Sequence, residues 1–321
     1  MVDKYLSLLE AEIRRQRFGE SPASLYEPIR YIMALGGKRL RPLLTLLSYA
    51  LYKNDAERIV KYAVAVEAFH NFTLLHDDIM DKAPLRRGKA TVHEKWNVNT
   101  AILSGDVMLV KVYDMLLDIG PSKLQDVLAL FNQCASEVCE GQQWDMEFES
   151  MSRVTEAQYI AMIRQKTAVL LGFSLELGAL LADAAAADRG ILRQAGIDLG
   201  LGFQLKDDLL DVYGSKKKFG KQIGGDIIAN KKTFLLIKAL QLARGKEKAE
   251  LLKWLGAKKF DRKKKVAAIT AVYDKLRMAD VTNAMIAESF ARAFEGLQKL
   301  SAKENLNTLL GYARDLAERQ Q

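Results

Sequence analysis

The chain has 321 residues, of which 49% are apolar, and a formal charge of +8. The apolar share supports a large core. The basic charge lacks the aromatic interleaving or recognisable motif of a nucleic-acid binder. Two cysteines, Cys134 and Cys139, exclude a disulfide framework, and three histidines exclude a Cys/His zinc pattern.

In chain order, residues 1–20 alternate apolar and charged side chains and lack the apolar core of a signal peptide. Ser21-Pro22 has the pattern of an N-cap followed by proline at the first helical position. Apolar periodicity predicts helices over 24–35, 43–51, 56–80, 100–118, 122–149, 156–182, 189–213 and 232–243. Further helices are expected over 247–256, 262–277 and 279–318, the last with a break. Ser122-x-x-Gln125 and Thr155-x-x-Gln158 have capping-box spacing. Cys134 and Cys139 fall in one helix and read as buried small hydrophobes. The most apolar stretch, 169–187, is interrupted by Glu176 and Asp183, so it reads as a buried helix and not a membrane span. Prolines stand only at 22, 28, 42, 84 and 121, so nothing beyond 121 forces a helix to break. The expectation is an all-α, single-domain helical bundle over 1–321, with the most apolar helices central. A soluble cytoplasmic protein without stable membrane insertion follows.

The strongest chemical signal is Asp77-Asp78-Ile79-Met80-Asp81 at the end of a long apolar run. Helical spacing puts Asp77 and Asp81 on one face, with Asp78 beside them. Three acids at a helix C-terminus repel one another and oppose the helix dipole, which argues for a bound cation. Magnesium fits, because it takes carboxylate oxygens and bridges to phosphates. The pattern recurs as Asp207-Asp208-Leu209-Leu210-Asp211, preceded by Phe203-Gln204. If the two helices face each other, six carboxylates line one cavity mouth.

Basic residues complete the pattern. Gly36-Gly37-Lys38-Arg39-Leu40-Arg41-Pro42 ends one helix on glycines and places Lys38 and Arg41 in a short segment. Arg86-Arg87-Gly88 follows the first acidic motif, where the arginines either pair with the aspartates or fork onto phosphate oxygens. The loop 214–233, with Lys221 and Lys231, reads as a surface loop or as a flap over an anion. The basic runs 216–218, 231–232 and 258–265 read as solvated loops or as attractors of multiply charged anions. His70 lies two helical turns before Asp77 on nearly the same face, suiting a phosphate contact.

Together these motifs resemble the trans-isoprenyl diphosphate synthases, which include farnesyl and geranylgeranyl diphosphate synthases. The resemblance runs from the Gly-Gly-Lys-Arg-Leu-Arg-Pro segment to at least Thr233. It implies an isoprenoid synthase fold around a deep central cavity, a homodimer, and small-molecule diphosphate substrates rather than nucleic acid. It implies that Lys38, Arg41, His70 and Arg87 bind isopentenyl diphosphate. Asp77, Asp78 and Asp81 with Asp207, Asp208 and Asp211 would hold about three Mg2+ ions. Arg86, Lys166, Lys221 and Lys231 would clamp the allylic diphosphate. Thr167, Phe203 and Gln204 would stand near the reacting carbon. The reaction implied is head-to-tail coupling through an allylic carbocation, with the proton lost to the departing diphosphate.

Phe72 lies roughly 7.5 Å before Asp77 on the same helix, followed by Thr73. In the family, a bulky residue at this level stops elongation, and Phe-Thr resembles archaeal-type geranylgeranyl synthases. A C20 product is expected, with C15 as the alternative. The other readings are a class I terpene cyclase, which usually carries a mixed Asn/Ser/Glu motif in place of the second D-D-x-x-D, and a regulatory subunit, which tends to lose metal ligands. This chain keeps both aspartate sets.

Overall fold

The structure, a computed structural model, describes residues 1–214, 224–302 and 304–318. Among these residues the regular elements are helices, apart from one two-stranded hairpin. The first half runs α1 (Val2–Arg15), α2 (Ala23–Ala34), α3 (Leu40–Tyr49), α4 (Val60–Met80), β1 (Leu85–Arg86), β2 (Lys89–Ala90), α5 (Val92–Lys95), α6 (Val98–Leu116) and α7 (Pro121–Ser150). The second runs α8 (Glu156–Ile163), α9 (Val169–Leu181), α10 (Ala186–Tyr213), α11 (Gly225–Ala229), α12 (Phe234–Leu242), α13 (Gly245–Gly256), α14 (Arg262–Lys275), α15 (Met278–Gln298) and α16 (Leu306–Glu318). The all-α expectation holds. Among the described residues no helix is long and apolar enough to cross a membrane.

The helices form two compact units. One comprises Met1–Cys134, Leu170–Arg193 and Lys299–Gly311, and the other Ala135–Val169, Gln194–Gln298 and Tyr312–Gln321. The first acidic motif belongs to the first unit and the second motif to the second.

The first unit is packed around Phe131 of α7. Its ring meets Phe69 and Tyr113 edge-on, each at 5.1 Å, and Phe173 at 6.0 Å. Each such pair adds ~0.5–1.5 kcal/mol to the burial of its rings. Helix α9 approaches α3 so closely that a Cβ on Gly178 would lie 2.2 Å from the Thr45 carbonyl oxygen. Ser48 Oγ seals this contact by donating to the Leu175 carbonyl at 2.6 Å. In the second unit, Leu235, Ala239, Leu251, Ile269, Tyr273 and Met278 form a buried cluster joining α12 to α15.

Several local expectations change. Helix α1 was not anticipated from its charged alternation, yet Tyr5, Leu9 and Ile13 recur every four residues and bury one stripe. Helix α2 starts at Ala23, so Pro22 is its N-cap and not its first residue. Helix α7 starts at Pro121, and the Gly120 carbonyl receives the amides of Lys123 and Leu124, so Ser122 lies inside the helix and caps nothing. The Thr155–Gln158 capping box forms in full. Cys134 is buried but Cys139 is exposed, correcting the expectation for the second. Five residues advance a helix by about 500°, so the two thiols stand about 140° apart and cannot share a buried face.

Replacing Gly178 with Ala should lower stability by about 1–3 kcal/mol, because two backbones must part. Gly296→Ala, in α15 with open space around its Cα, should be neutral or stabilising by up to ~1 kcal/mol. Denaturant unfolding midpoints of the two variants check both signs.

Candidate active site

In the first unit, the basic segment is anchored from its middle. Gly36 and Gly37, with φ of +77° and +142°, end α2 and turn the chain. Arg39, itself left-handed, is only 3% exposed. It pairs with Glu67 at 2.9 Å and Glu10 at 2.8 Å and donates to the Met33 carbonyl. Burial lowers the affinity of its guanidinium for the proton, but the two glutamates outweigh it and raise the pKa. The central arginine is thus structural, and its neighbours Lys38 and Arg41 are the chemical candidates. Sequence reasoning quoted Arg39 in the motif without assigning it this role.

Arg41 Nη1 lies 3.1 Å from His70 Nε2. An arginine can only donate, so His70 accepts through Nε2 and carries its proton on Nδ1. Burial, then Arg41, Arg87, Arg86 and Arg39, hold the His70 pKa well below its ordinary value, so the ring is neutral. Arg87 joins this group. A Cβ on Gly37 would come within 2.7 Å of the Arg87 guanidinium nitrogens, so glycine makes room for that side chain.

The turn between the strands explains Arg86-Arg87-Gly88. Leu85 pairs with Ala90 and Arg86 with Lys89. Arg87 and Gly88 have φ of +53° and +74°, the two left-handed positions of a type I′ hairpin turn. The hairpin is tied down where Thr91 Oγ1 donates to the Ala83 carbonyl and the Tyr31 hydroxyl to the Ala90 carbonyl, both at 2.7 Å. It presents Arg86 to buried Asp78 as a fork, with Nε at 2.8 Å and Nη2 at 2.7 Å. Asp78 is therefore engaged by protein, whereas Asp77 is half-buried and Asp81, the C-cap of α4, is exposed. One turn earlier, Phe72 is 9% exposed and packs against His76 at 4.8 Å and Phe69 at 5.7 Å. Thr73 Oγ1 donates to the His70 carbonyl.

The second unit solves the same charge problem with neutral partners. Asp208 at the end of α10 is 5% exposed and accepts from the Tyr159 hydroxyl and from Gln204 Nε2 at 3.1 Å. Burial and Asp226 push its pKa up to about 7, against the pull of those two donors. Gln204 Oε1 accepts from Thr167 Oγ1 at 3.2 Å, so Thr167, Gln204 and Asp208 form one chain of hydrogen bonds. Asp207 and Asp211 are half-buried, and Asp211 Oδ2 receives the Asp226 amide at 3.0 Å. Phe203, half-buried, precedes Gln204 on α10.

Lys166 and Thr167 stand in a π-helical turn, Arg164–Ala168, inside what periodicity predicted as one regular helix over 156–182. Such turns carry one extra residue and are enriched at functional sites. A Cβ on Gly141 of α7 would be 2.2 Å from the Lys166 amide nitrogen, and one on Gly200 of α10 would be 2.5 Å from Ala168 Cα. Lys166 Nζ is 2.6 Å from Asp145 Oδ2, and Lys231 Nζ is 3.4 Å from the same oxygen. Burial raises the Asp145 pKa, but Lys231 and Lys166 outweigh it and hold the carboxyl below its ordinary value. Lys221 lies outside the described residues. Asp145 and Tyr159 were not anticipated: only the close spacing of Gly141 and Asp145 on one helix face hints at the first, and no sequence signal marks the second.

Among the described residues no three His, Cys, Asp or Glu side chains already converge on one metal position. The donor chemistry nonetheless suits a hard divalent cation, since each motif keeps carboxylates at i and i+4 at its helix end while its buried member is hydrogen-bonded by protein.

The sequence model of the polyprenyl synthetase family matches residues 22–273. The chain is 43% identical over 235 residues to the short chain isoprenyl diphosphate synthase of Methanocaldococcus jannaschii, covering 73% of this chain and 72% of that protein. It resembles a crystal structure of geranylgeranyl pyrophosphate synthase with a TM-score of 0.95 and 39% identity, covering 100% of this chain and 99% of that one. The geranylgeranyl pyrophosphate synthetase structure from Pyrococcus horikoshii Ot3 matches with a TM-score of 0.91 and 34% identity over 99% of this chain and 97% of that one. The paired aspartate motifs, the arginine hairpin and the likeness along the whole chain agree: this chain belongs to the polyprenyl synthetase family.

Proposed function

We propose that the chain, acting as one domain, is a magnesium-dependent trans-prenyltransferase that extends allylic diphosphates with isopentenyl diphosphate and ends at the C20 product, geranylgeranyl diphosphate. The observation that carries this reading is the duplicated aspartate motif. In both copies the second aspartate is buried and hydrogen-bonded by protein, while the flanking pair stays at the helix end. The C20 length is supported by Phe72-Thr73 and by relatives such as the geranylgeranyl diphosphate synthase of Sulfolobus acidocaldarius, 35% identical over 90% of this chain and 88% of that protein.

Lys38, Arg41 and Arg87 bind isopentenyl diphosphate, with neutral His70 donating through Nδ1. Arg guanidinium forks match phosphate oxygens geometrically. Asp77, Asp81, Asp207 and Asp211 would hold the magnesium ions, with Asp78 and Asp208 supporting them from the interior, and ions held there would supply positive charge against the departing diphosphate. Lys166, Lys231, Arg86 and Lys221 bind the allylic diphosphate and stabilise its charge as that charge grows in the transition state. Thr167 and Gln204, linked by their hydrogen bond, present oxygen lone pairs toward the allylic cation. An apolar tail site excludes water, which would otherwise capture that cation. Isopentenyl diphosphate attacks through its double bond, and the proton leaves to the diphosphate. The working form is a cytoplasmic homodimer without nucleic-acid or membrane partners.

The reading is tested by incubating purified protein with Mg2+, labelled isopentenyl diphosphate and C5, C10 or C15 allylic starters, then sizing the dephosphorylated products. A C20 alcohol is expected from each starter. Absence of any prenyl product from folded protein would end the proposal. EDTA should abolish turnover and excess Mg2+ restore it. Asp77→Ala should cost at least ~10²-fold in kcat while leaving the circular dichroism spectrum intact. Phe72→Ala should lengthen the product beyond C20; an unchanged chain length sinks its stopper role.

A further inference from the structure

Two lysines that come from distant segments share one half-buried carboxylate. Asp145 is contributed by α7, Lys166 by the π turn, and Lys231 by the turn after α11. Because both ammonium groups meet the same Oδ2 oxygen, they stand at most ~6 Å apart. Two cations so close repel and would swing apart into solvent without a counter-ion. The Asp145 side chain is only 13% exposed and that of Lys166 20%, so little water screens this pair, whereas Lys231 reaches the same oxygen from a more exposed position.

The backbones beneath both lysines are also fixed. Gly141 lies four residues before Asp145 on the same face of α7, and it receives the Lys166 amide at a distance no side chain would allow. On the other side, Asn230 is left-handed at φ +56°, and the Lys231 amide donates to the Asp226 carbonyl at 2.9 Å. Asn230 is braced in turn: its Nδ2 donates to the Leu255 carbonyl at 3.1 Å, and its Oδ1 accepts from Lys265 Nζ at 2.6 Å. Lys265 is fully buried and also donates to the Ile228 carbonyl, so it closes the C-terminus of α11. The distal helices thereby contribute to the clamp without touching substrate.

We propose that Asp145 is a positioning residue for the allylic diphosphate, preassembling Lys166 and Lys231 as a pair before the substrate binds. This rests on the reading that these two lysines meet that diphosphate. Preassembly lowers the ordering cost of binding, so its loss should appear in allylic affinity and not in affinity for isopentenyl diphosphate.

The test compares Asp145→Asn and Asp145→Glu with wild type, reading the KM of geranyl diphosphate, the KM of isopentenyl diphosphate, kcat and Tm. The expected result for D145N is a roughly tenfold rise in the allylic KM, with the isopentenyl KM unchanged and partial recovery in D145E. Parallel rises in both KM values, or an unchanged allylic KM, overturn the proposal. Should D145N prove unstable, a cycle of D145E with Lys231→Gln replaces it: the two effects on allylic KM must be non-additive, and additivity overturns the proposal. Calorimetric titration with inorganic pyrophosphate separates this inference from the enzyme reading. Weaker pyrophosphate binding by D145N, in a chain whose wild type makes no prenyl product, would reject the enzyme and keep the positioning role. Equal pyrophosphate binding by wild type and D145N rejects the positioning role whatever the product assay gives.

Discussion

Charge gathered at the ends of apolar helices must be countered where it stands, and the architecture of both units follows from that constraint. Removing one partner of a buried ion pair leaves an uncompensated charge and costs about 3–5 kcal/mol. Each buried charge here has its answer nearby: Arg39 has Glu67 and Glu10, Asp78 has Arg86, and Asp145 has two lysines. The two aspartate motifs differ in how they meet the demand. Asp78 takes a guanidinium fork, whereas Asp208 takes a phenol and an amide, whose pull does not offset burial and Asp226, so its pKa is pushed up to about 7.

These pairings also divide labour within each motif. In Gly-Gly-Lys-Arg-Leu-Arg-Pro the middle arginine turns inward and the outer cations flank it. In each D-D-x-x-D the second aspartate turns inward and the flanking pair stays at the helix end. A buried charged side chain immovably fixed by several hydrogen bonds is a firm support for its neighbour in sequence, since adjacent residues share one peptide plane. Close approach supplies the rest. Gly105 of α6 has no Cβ because the His76 ring would meet it at 2.2 Å, and that ring in turn packs on Phe72.

The helices were legible because long, largely apolar runs mark α4, α6 and α10 and because few prolines interrupt them. The acidic motifs were legible because two copies at helix ends are too regular for chance. Helix α1 was missed because its buried stripe is narrow, three residues in a mostly charged segment. The arginine hairpin was seen as chemistry but not as structure, although Arg87-Gly88 is a turn pair once both residues are left-handed. The π turn could not be read, because the run after it, 169–182, is apolar nearly all round and hides a one-residue shift in register. Asp145 was silent for a different reason. Its partners lie 21 and 86 positions away, and only folding makes them neighbours.

That π turn ties the site to the length of the chain and not only to its composition. An unbroken α-helix through this region would need one residue fewer between Ile163 and Val169. A single deletion there would let the helix close up as regular α-helix, and the widened turn that carries Lys166 and Thr167 would be lost. Lys166 and Thr167 would leave the positions from which they meet Asp145 and Gln204. Along 164–168 the protein can therefore drift by exchanging residues, but it is locked against gaining or losing one, in the way a screw thread tolerates wear but not a skipped turn.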